Sequence, residues 1–147
     1  MVDKKVETAK LIARLAHAGQ TDLQGEDYFS GHISSVAEAV VLPEEKVVAY
    51  LHDTLEDTQV TYEDIKMLFG KETADSVQRL THIKGTPYKE YVQIIAEDPI
   101  ARKVKLADLK NNMDESRWPE GRPEWLEERI RKKYVPAREI LLKAGEQ

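Results

Sequence analysis

Residues 44–58 read Glu44-Glu45-Lys46-Val47-Val48-Ala49-Tyr50-Leu51-His52-Asp53-Thr54-Leu55-Glu56-Asp57-Thr58. Val47, Val48, Leu51 and Leu55 recur at helical spacing and predict one helix over 44–56 with an apolar back. At about 100° per residue, with His52 at zero, Glu56 falls near 40°, Asp53 near 100° and Asp57 near 140°, a single polar arc. Ala49 lies near 60° on the same count, roughly under the middle of that arc, where a larger side chain would fill the space. Carboxylates at i, i+3 and i+4 spacings repel one another. A positive partner should offset the repulsion, and a divalent cation is the economical one, because a neutral imidazole beside a carboxylate is a metal-ligand pair. The remaining acids can then handle protons. Acidic runs are also common on solvated helix faces, so the weight of this reading depends on further ligands elsewhere in the chain.

With 147 residues, 41% of them hydrophobic and 33% charged, the chain suits one domain with a single core. It has no cysteine, which excludes disulfides, thiolate metal sites and thiol nucleophiles. A reducing cytoplasm fits that composition. The N-terminal Met1-Val2-Asp3-Lys4-Lys5 lacks the apolar core of a signal peptide. No apolar run approaches the ~20 residues of a membrane span, so no membrane partner is expected. A net charge of -5 argues against a nucleic-acid polymer as partner, since that affinity comes from Lys and Arg neutralising phosphates. A small anionic substrate needs only a local basic patch.

Helical period dominates the rest of the chain. Residues 3–18 place Ala9, Ile12, Ala13 and Ala16 on one face and stop at Gly19. An irregular loop runs from Gln20 to Gly31, followed by a helix over 32–42 closed by Pro43. Thr61 and Asp64 form a capping-box start to a helix that stops at Gly70, and further helices are predicted over 71–82, 88–97, 99–114 and 124–144. Pro99 suits a first turn, whereas Pro136 should kink or split the last helix. No alternating strand pattern is present, so the fold class is all-α, built of several short helices.

His32 follows the irregular loop, and Asp108 sits inside the apolar stretch Val104-Lys105-Leu106-Ala107-Asp108-Leu109. With His52 and Asp53 they complete a His2Asp2 set. The order His32, His52-Asp53, Asp108 resembles the HD superfamily of metal-dependent phosphohydrolases. Within it, the chain is similar to the hydrolase domain of RelA/SpoT-type enzymes and their small single-domain relatives, which remove the 3′-pyrophosphate of the alarmone ppGpp. The likeness runs over about residues 9–115. It rests on Ala16-His17-Ala18-Gly19-Gln20, Gly25-Glu26 with Tyr28, His52 to Thr58, Leu68-Phe69-Gly70, Leu80-Thr81, Val104 to Asp108, and Asn112-Met113.

The resemblance implies an HD fold in which residues 1–147 make one compact hydrolase domain. It implies that His32, His52, Asp53 and Asp108 bind one divalent ion, with Glu56 and Asp57 as the catalytic acid pair and Glu56 nearer the water. Two imidazoles and two carboxylates suit Mn, Fe or Zn better than Ca or a purely oxygen-bound Mg site. The family points to Mn. Lys105 and Asn112 share a helix face with Asp108 and are candidates for substrate phosphate or ribose. His17 reads as a residue that supports the site through a hydrogen bond. His82 reads as a loop residue able to reach phosphate; Arg102, Lys103, Lys110 and Arg117 read as solvated charges. Trp118 and Trp125 read as packing the C-terminal helix onto the body.

The loop departs from the family. Asp22 stands where the family carries an arginine that stacks on guanine, and Thr21-Asp22-Leu23-Gln24 has no basic residue. One extra residue separates Tyr28 from His32. Asp27 and Ile33 replace the usual prolines, and Leu109 stands where Lys or Arg is common. An aspartate at position 22 would accept hydrogen bonds from the edge of guanine or select another substrate. Three functions are therefore carried forward: hydrolysis of ppGpp, an HD-type phosphatase of another nucleotide, and a non-catalytic nucleotide- or metal-binding regulatory module.

Overall fold

A computed structural model describes residues 3–146; Met1, Val2 and Gln147 lie outside the described residues. The described chain is helical throughout, with a single antiparallel bridge pair, Thr21 and Asp27, inside the irregular loop. Ten α-helices follow in order: α1 Lys4–Ala16, α2 Ser34–Glu38, α3 Pro43–Leu51, α4 Thr54–Asp57, α5 Tyr62–Phe69, α6 Lys71–Leu80, α7 Tyr88–Ala96, α8 Pro99–Asn112, α9 Glu124–Arg129 and α10 Val135–Gly145. None is long and apolar enough to cross a membrane. The expected all-α class therefore holds, as do most helix ends. Gly19 ends the first helix region at φ 85°, a conformation open to glycine. Thr61 and Asp64 form the reciprocal cap of α5, with Thr61 Oγ1 accepting from the Asp64 amide at 3.1 Å and Asp64 Oδ2 from the Thr61 amide at 3.0 Å.

The centre of the domain is the pair α3 and α8. α3 packs against α1, α2, α6 and α8, and α8 also meets α6, α7 and α10. Val47, Val48, Ala49, Tyr50 and Leu51 of α3 and Ala101, Val104, Ala107 and Leu109 of α8 are all buried. A helix surrounded in this way is apolar around most of its circumference. Glu45 is the exception on α3. It is 3% exposed, accepts the Val41 and Leu42 amides at 3.2 and 3.0 Å, and pairs with Lys103 at 3.0 Å.

The helix expected over 32–42 begins instead in a π-turn at Phe29 and ends at Glu38, where Lys46 Nζ donates to the Ala37 and Val40 carbonyls, and the structure corrects two further helix expectations. The helix foreseen over 44–56 is interrupted at His52 and Asp53, where Asp53 has φ -103° and ψ 0°. The cause is competition by side chains. His52 Nδ1 bonds the Ala49 carbonyl at 2.6 Å, the acceptor that a continued helix would give to the Asp53 amide. Thr54 Oγ1 donates to the Leu51 carbonyl at 2.7 Å, which would otherwise serve Leu55. The second correction concerns 124–144. The segment stays wound through Pro136, but a π-turn over Ile130–Tyr134 precedes it. Widening the backbone there accommodates a residue with no amide hydrogen and a ring that crowds the preceding turn. A similar π-turn, Phe29–Ile33, carries His32 into α2.

Asp98 anchors α8. It caps the helix by accepting the Ile100 and Ala101 amides at 3.0 and 3.2 Å, and its other oxygen accepts Ser76 Oγ at 2.6 Å and Arg79 at 2.8 Å. Burial opposes its charge, but these four donors outweigh burial and hold its pKa below the ordinary value. Asp98→Ala should therefore lower stability at pH 7 by about 2 kcal/mol in urea unfolding. A depressed folded pKa means the contribution is complete above the unfolded value of about 4 and fades as the pH falls through the folded one. The gap between wild type and variant should accordingly close in acid, and a gap that stays constant to pH 2 would contradict this assignment.

Candidate active site

Three separate segments bring His32, His52, Asp53 and Asp108 together. His32 comes from the π-turn before α2, His52 and Asp53 from the break after α3, and Asp108 from the third turn of α8. His32 Nε2 lies 2.9 Å from Asp108 Oδ1 and 3.7 Å from Asp53 Oδ2. His52 Nε2 lies 3.2 Å from Asp53 Oδ2 and 3.5 Å from Asp108 Oδ1. Donor atoms of His32, His52 and Asp53 fall within 4.8 Å of one another. His32, His52 and Asp108 are buried.

The hydrogen bonds behind the imidazoles set their tautomers. Ala49 O can only accept, so His52 Nδ1 donates to it at 2.6 Å. Asn111 Oδ1 bonds His32 Nδ1 at 2.7 Å and also accepts from the Arg117 guanidinium at 3.2 Å, which identifies it as the oxygen. With Nδ1 protonated, both neutral rings turn an Nε2 lone pair toward carboxylate oxygens. His52 Nε2 is buried and has no hydrogen-bond partner. Lone pairs facing lone pairs in a buried site require a cation or extra protons. Burial opposes charge on His52, yet the Asp53 and Asp108 carboxylates pull its pKa well above the ordinary value. Burial likewise raises Asp53, but the His52 charge outweighs it and holds the carboxyl down at about 2. Asp108 falls well below its usual range because Lys105 and the imidazoles overcome its burial. The donor set fits a divalent ion, and two imidazoles with fixed Nδ1–H partners are a form metals favour.

Around these four stand two further acids and two N–H donors. Glu56 and Asp57 belong to the single turn α4. The His82 backbone amide donates to Glu56 Oε1, tying that carboxylate to the end of α6. Burial raises the pKa of both acids, and the Asp53 charge adds to the effect. Lys105 Nζ donates to Asp108 Oδ2 at 2.8 Å, and Asn112 Nδ2 lies 3.4 Å from Asp108 Oδ1. Behind Asp53, the Tyr28 hydroxyl donates to Oδ2 at 2.5 Å, and burial followed by the Asp53 charge keeps that phenol protonated.

His17 is fully buried. Its Nδ1 bonds Gln20 Oε1 at 2.8 Å, and Gln20 in turn donates to the Asp57 carbonyl at 2.9 Å. It thus braces the α4 turn, in keeping with the supporting role expected of it. Asn111 and Tyr28 support His32 and Asp53, and no role was expected of either from the sequence. Asn111 follows Lys110 by one residue and Asp108 by three, a spacing that could have suggested it. His82 is exposed, with Nε2 bonded to Thr86 O at 2.7 Å.

Asp22 is engaged inside the loop. Its Oδ1 accepts the Gln24 and Glu26 amides, each at 2.9 Å, and its Oδ2 lies 3.5 Å from Arg117. Arg117 is not the solvated charge expected of it: it also donates to Gln24 Oε1 at 3.0 Å and to the Asn111 carbonyl at 3.1 Å. The physical reason is its place just after α8, where one planar fork reaches both the loop and Asn111. Arg102 is likewise anchored, donating to Ala96 O at 2.6 Å, whereas Lys103, although paired with Glu45, and Lys110 stay exposed as expected. Trp118 and Trp125 pack edge to face on each other at 6.2 Å, and Trp125 stays 44% exposed rather than filling the interior. A cavity of about 330 Å³ opens beside Tyr28, His32 and Asn112, walled by Asp22, Arg117 and Trp125. A larger groove of about 960 Å³ lies beyond Asn111 on another face of α8 and does not reach the four converging side chains.

No family model matches the chain. It is 33% identical over 127 residues to the bifunctional (p)ppGpp synthase/hydrolase SpoT of Escherichia coli (strain K12), covering 75% of this chain and 18% of SpoT. It is 35% identical over 121 residues to the guanosine-3′,5′-bis(diphosphate) 3′-pyrophosphohydrolase of Aquifex aeolicus, with 75% and 17% covered. To the pyrophosphohydrolase MESH1 of Xenopus tropicalis it is 32% identical over 117 residues, with 75% and 62% covered. The chain thus spans less than a fifth of the length of SpoT. Its fold matches a solved structure of a metazoan ortholog of SpoT with a TM-score of 0.66 at 23% identity, covering 100% of this chain and 97% of that one.

The arrangement behind His32 can be tested without touching the four converging side chains. Asn111→Leu should weaken binding of one Mn²⁺ or Zn²⁺ per chain by about 10- to 100-fold, measured by competition with a chelating dye. Unchanged affinity would show that Asn111 does not orient His32. The segments that converge, the helical frame that holds them and the relatives named above agree: the chain belongs to the HD-domain family of SpoT and MESH1.

Proposed function

We propose that this protein is a metal-dependent phosphohydrolase that removes the 3′-pyrophosphate of guanosine 3′,5′-bis(diphosphate). The observation that carries the reading is the buried confrontation of two Nε2 lone pairs with two carboxylates, next to an acid pair of raised pKa. The names of the SpoT and MESH1 relatives supply the substrate. Residues 1–147 act as one hydrolase domain in this reading. His32, His52, Asp53 and Asp108 hold the ion, for which Mn is our choice on the nitrogen-and-oxygen donor set. A divalent ion bound there supplies Lewis acidity toward a phosphoryl oxygen and toward water.

The chain's own residues do the rest. Glu56, fixed through Oε1 by the His82 amide, and Asp57, braced through Gln20 by His17, are held on one short turn. Their raised pKa values suit them to take a proton from the attacking water and return one to the leaving oxygen. Tyr28 keeps Asp53 in place by donating to it. Lys105 and Asn112 present N–H donors beside Asp108, suited to charge that builds on the phosphoryl oxygens. Asp22 serves recognition indirectly, since its oxygens shape the loop and hold Arg117 at the cavity wall.

One observation favours a second reading, an HD-type phosphatase of another nucleotide: the loop offers no free basic side chain to guanine. A Mn-supplemented turnover screen of ppGpp, pppGpp, nucleoside phosphates and dinucleotides separates the two. Pyrophosphate release from ppGpp is expected. Turnover of a different nucleotide alone would replace the substrate, and metal binding with no turnover of any would favour a regulatory module. Glu56→Gln and Asp57→Asn should each lower kcat by about 100-fold or more with metal content unchanged. Wild-type rates in both variants would remove the acid pair from the mechanism.

A further inference from the structure

The flank of the site beyond Lys105 holds a group with no structural employment. Tyr88 and Tyr91 lie on the first turn of α7, with ring centroids 5.7 Å apart. Tyr91 is accounted for: its hydroxyl donates to the Leu80 carbonyl at 2.6 Å, and its ring lies under the Lys105 ammonium at 5.3 Å. Tyr88 is not. Its hydroxyl is buried and has no hydrogen-bond partner, a condition that folded proteins rarely leave without a reason. The charges of Lys105 and Asp108 both act on this hydroxyl, and burial keeps it protonated and therefore able to donate.

The neighbours of Tyr88 are cations and donors. Lys133 Nζ stands 5.4 Å from the centre of its ring. Lys105 has three N–H bonds, of which one is directed at Asp108 Oδ2. His82 closes the edge of the group, stacked on Tyr91 at 4.6 Å and edge-on to Tyr88 at 6.0 Å. On a chain of net charge -5, two ammoniums gathered around an unused phenol make a local anion acceptor. Its place is set by Lys105, whose nitrogen touches the carboxylate of Asp108. An anion held by Tyr88 and Lys105 is therefore next to Asp108, and Glu56, held by the His82 amide, borders the same group.

We propose that Tyr88, with Lys105 and Lys133, forms the subsite for the distal phosphate of a diphosphate substrate, the phosphate that is not attacked. The proposal rests on the hydrolase reading and names the side chains that hold the second phosphate. The hydroxyl supplies the geometry of the contact, and the two ammoniums supply the charge.

Tyr88→Phe keeps the ring and removes the donor. In calorimetric titration of the Mn-loaded protein, the variant should bind inorganic pyrophosphate about tenfold to a hundredfold more weakly than wild type, as expected for a lost hydrogen bond to a charged group. Inorganic phosphate, which fills only the metal-side position, should bind both proteins equally. Metal content and melting temperature should not change, and KM for ppGpp should rise more than kcat falls. Lys133→Met should weaken pyrophosphate binding in the same sense. Equal pyrophosphate affinity of wild type and Tyr88→Phe, equal weakening of phosphate and pyrophosphate, or no pyrophosphate binding by wild type would each overturn the proposal. These outcomes are read without turnover, so they are distinct from a failure of the hydrolase reading, which would appear as wild-type protein inert toward ppGpp.

Discussion

Everything in this domain is arranged around one unfavourable juxtaposition, two buried imidazole lone pairs turned toward the buried carboxylate of Asp108 and the partly buried one of Asp53. Left to itself such a cluster costs several kcal/mol for each buried ion, and it persists only where the surrounding structure allows no escape. The escape routes are closed one by one. Ala49 O and Asn111 Oδ1 hold the Nδ1 protons, so neither ring can turn over. Tyr28 holds Asp53 through Oδ2, the oxygen that faces both imidazoles, and Lys105 holds the outer oxygen of Asp108. The cluster draws on segments around residues 32, 52 and 108, so a displacement of α3 against α8 would separate its members. The small buried residues Ala49 and Ala107 let those helices carry the site on their inner faces. Packing at the centre of the fold and placement of the donors are in this sense one constraint.

The same cluster sorts the charges around it. Asp53 and Asp108 are pulled down by their cationic neighbours, whereas Glu56 and Asp57 are pushed up by burial and by Asp53 itself, on Glu56 against the opposing pull of the His82 amide and Lys105. Carboxylates whose environments drive their pKa values apart divide into those that stay ionised and those that can exchange protons. Ammonium groups gather at Lys105 and Lys133 around Tyr91 and Tyr88, and His82, whose amide holds Glu56, borders the same rings.

Much of this was legible in the sequence. Apolar period and well-spaced glycines and prolines gave the all-α class and most helix ends, because those signals are local. The residues His32, His52, Asp53 and Asp108 could be named because their chemistry is rare on apolar faces. Other features could not be read, for specific reasons. Placing residues 44–56 on one helix assumed 100° per residue throughout, but His52 and Thr54 take over main-chain acceptors and stop the helix at the point where the polar arc was drawn. The arc therefore never forms; the break turns His52 and Asp53 toward each other, and Glu56 and Asp57 occupy a separate turn. Arg117 looked like a surface charge because its partners, Asp22 and Gln24, are 95 and 93 residues away in sequence. Tyr28 and Asn111 are ordinary residues whose meaning lies entirely in what they face.

The loop around Asp22 shows how a change of charge can be absorbed without loss of form. An aspartate there would leave a carboxylate beside a site that already holds four others, and a free one would add to the repulsion. Instead Oδ1 is spent on two loop amides and Oδ2 faces the guanidinium of Arg117, which arrives from beyond α8. The positive charge missing from the loop thus re-enters the cavity wall from another part of the chain, next to Trp125 and Leu126. Arg117 is bound to the Asn111 carbonyl and side chain as well, and Asn111 orients His32. Contacts at the cavity wall and orientation of an imidazole consequently share one guanidinium. Any ligand that draws Arg117 away from Asp22 also acts on the hydrogen bond behind His32, so recognition at the wall and readiness of the site are physically joined.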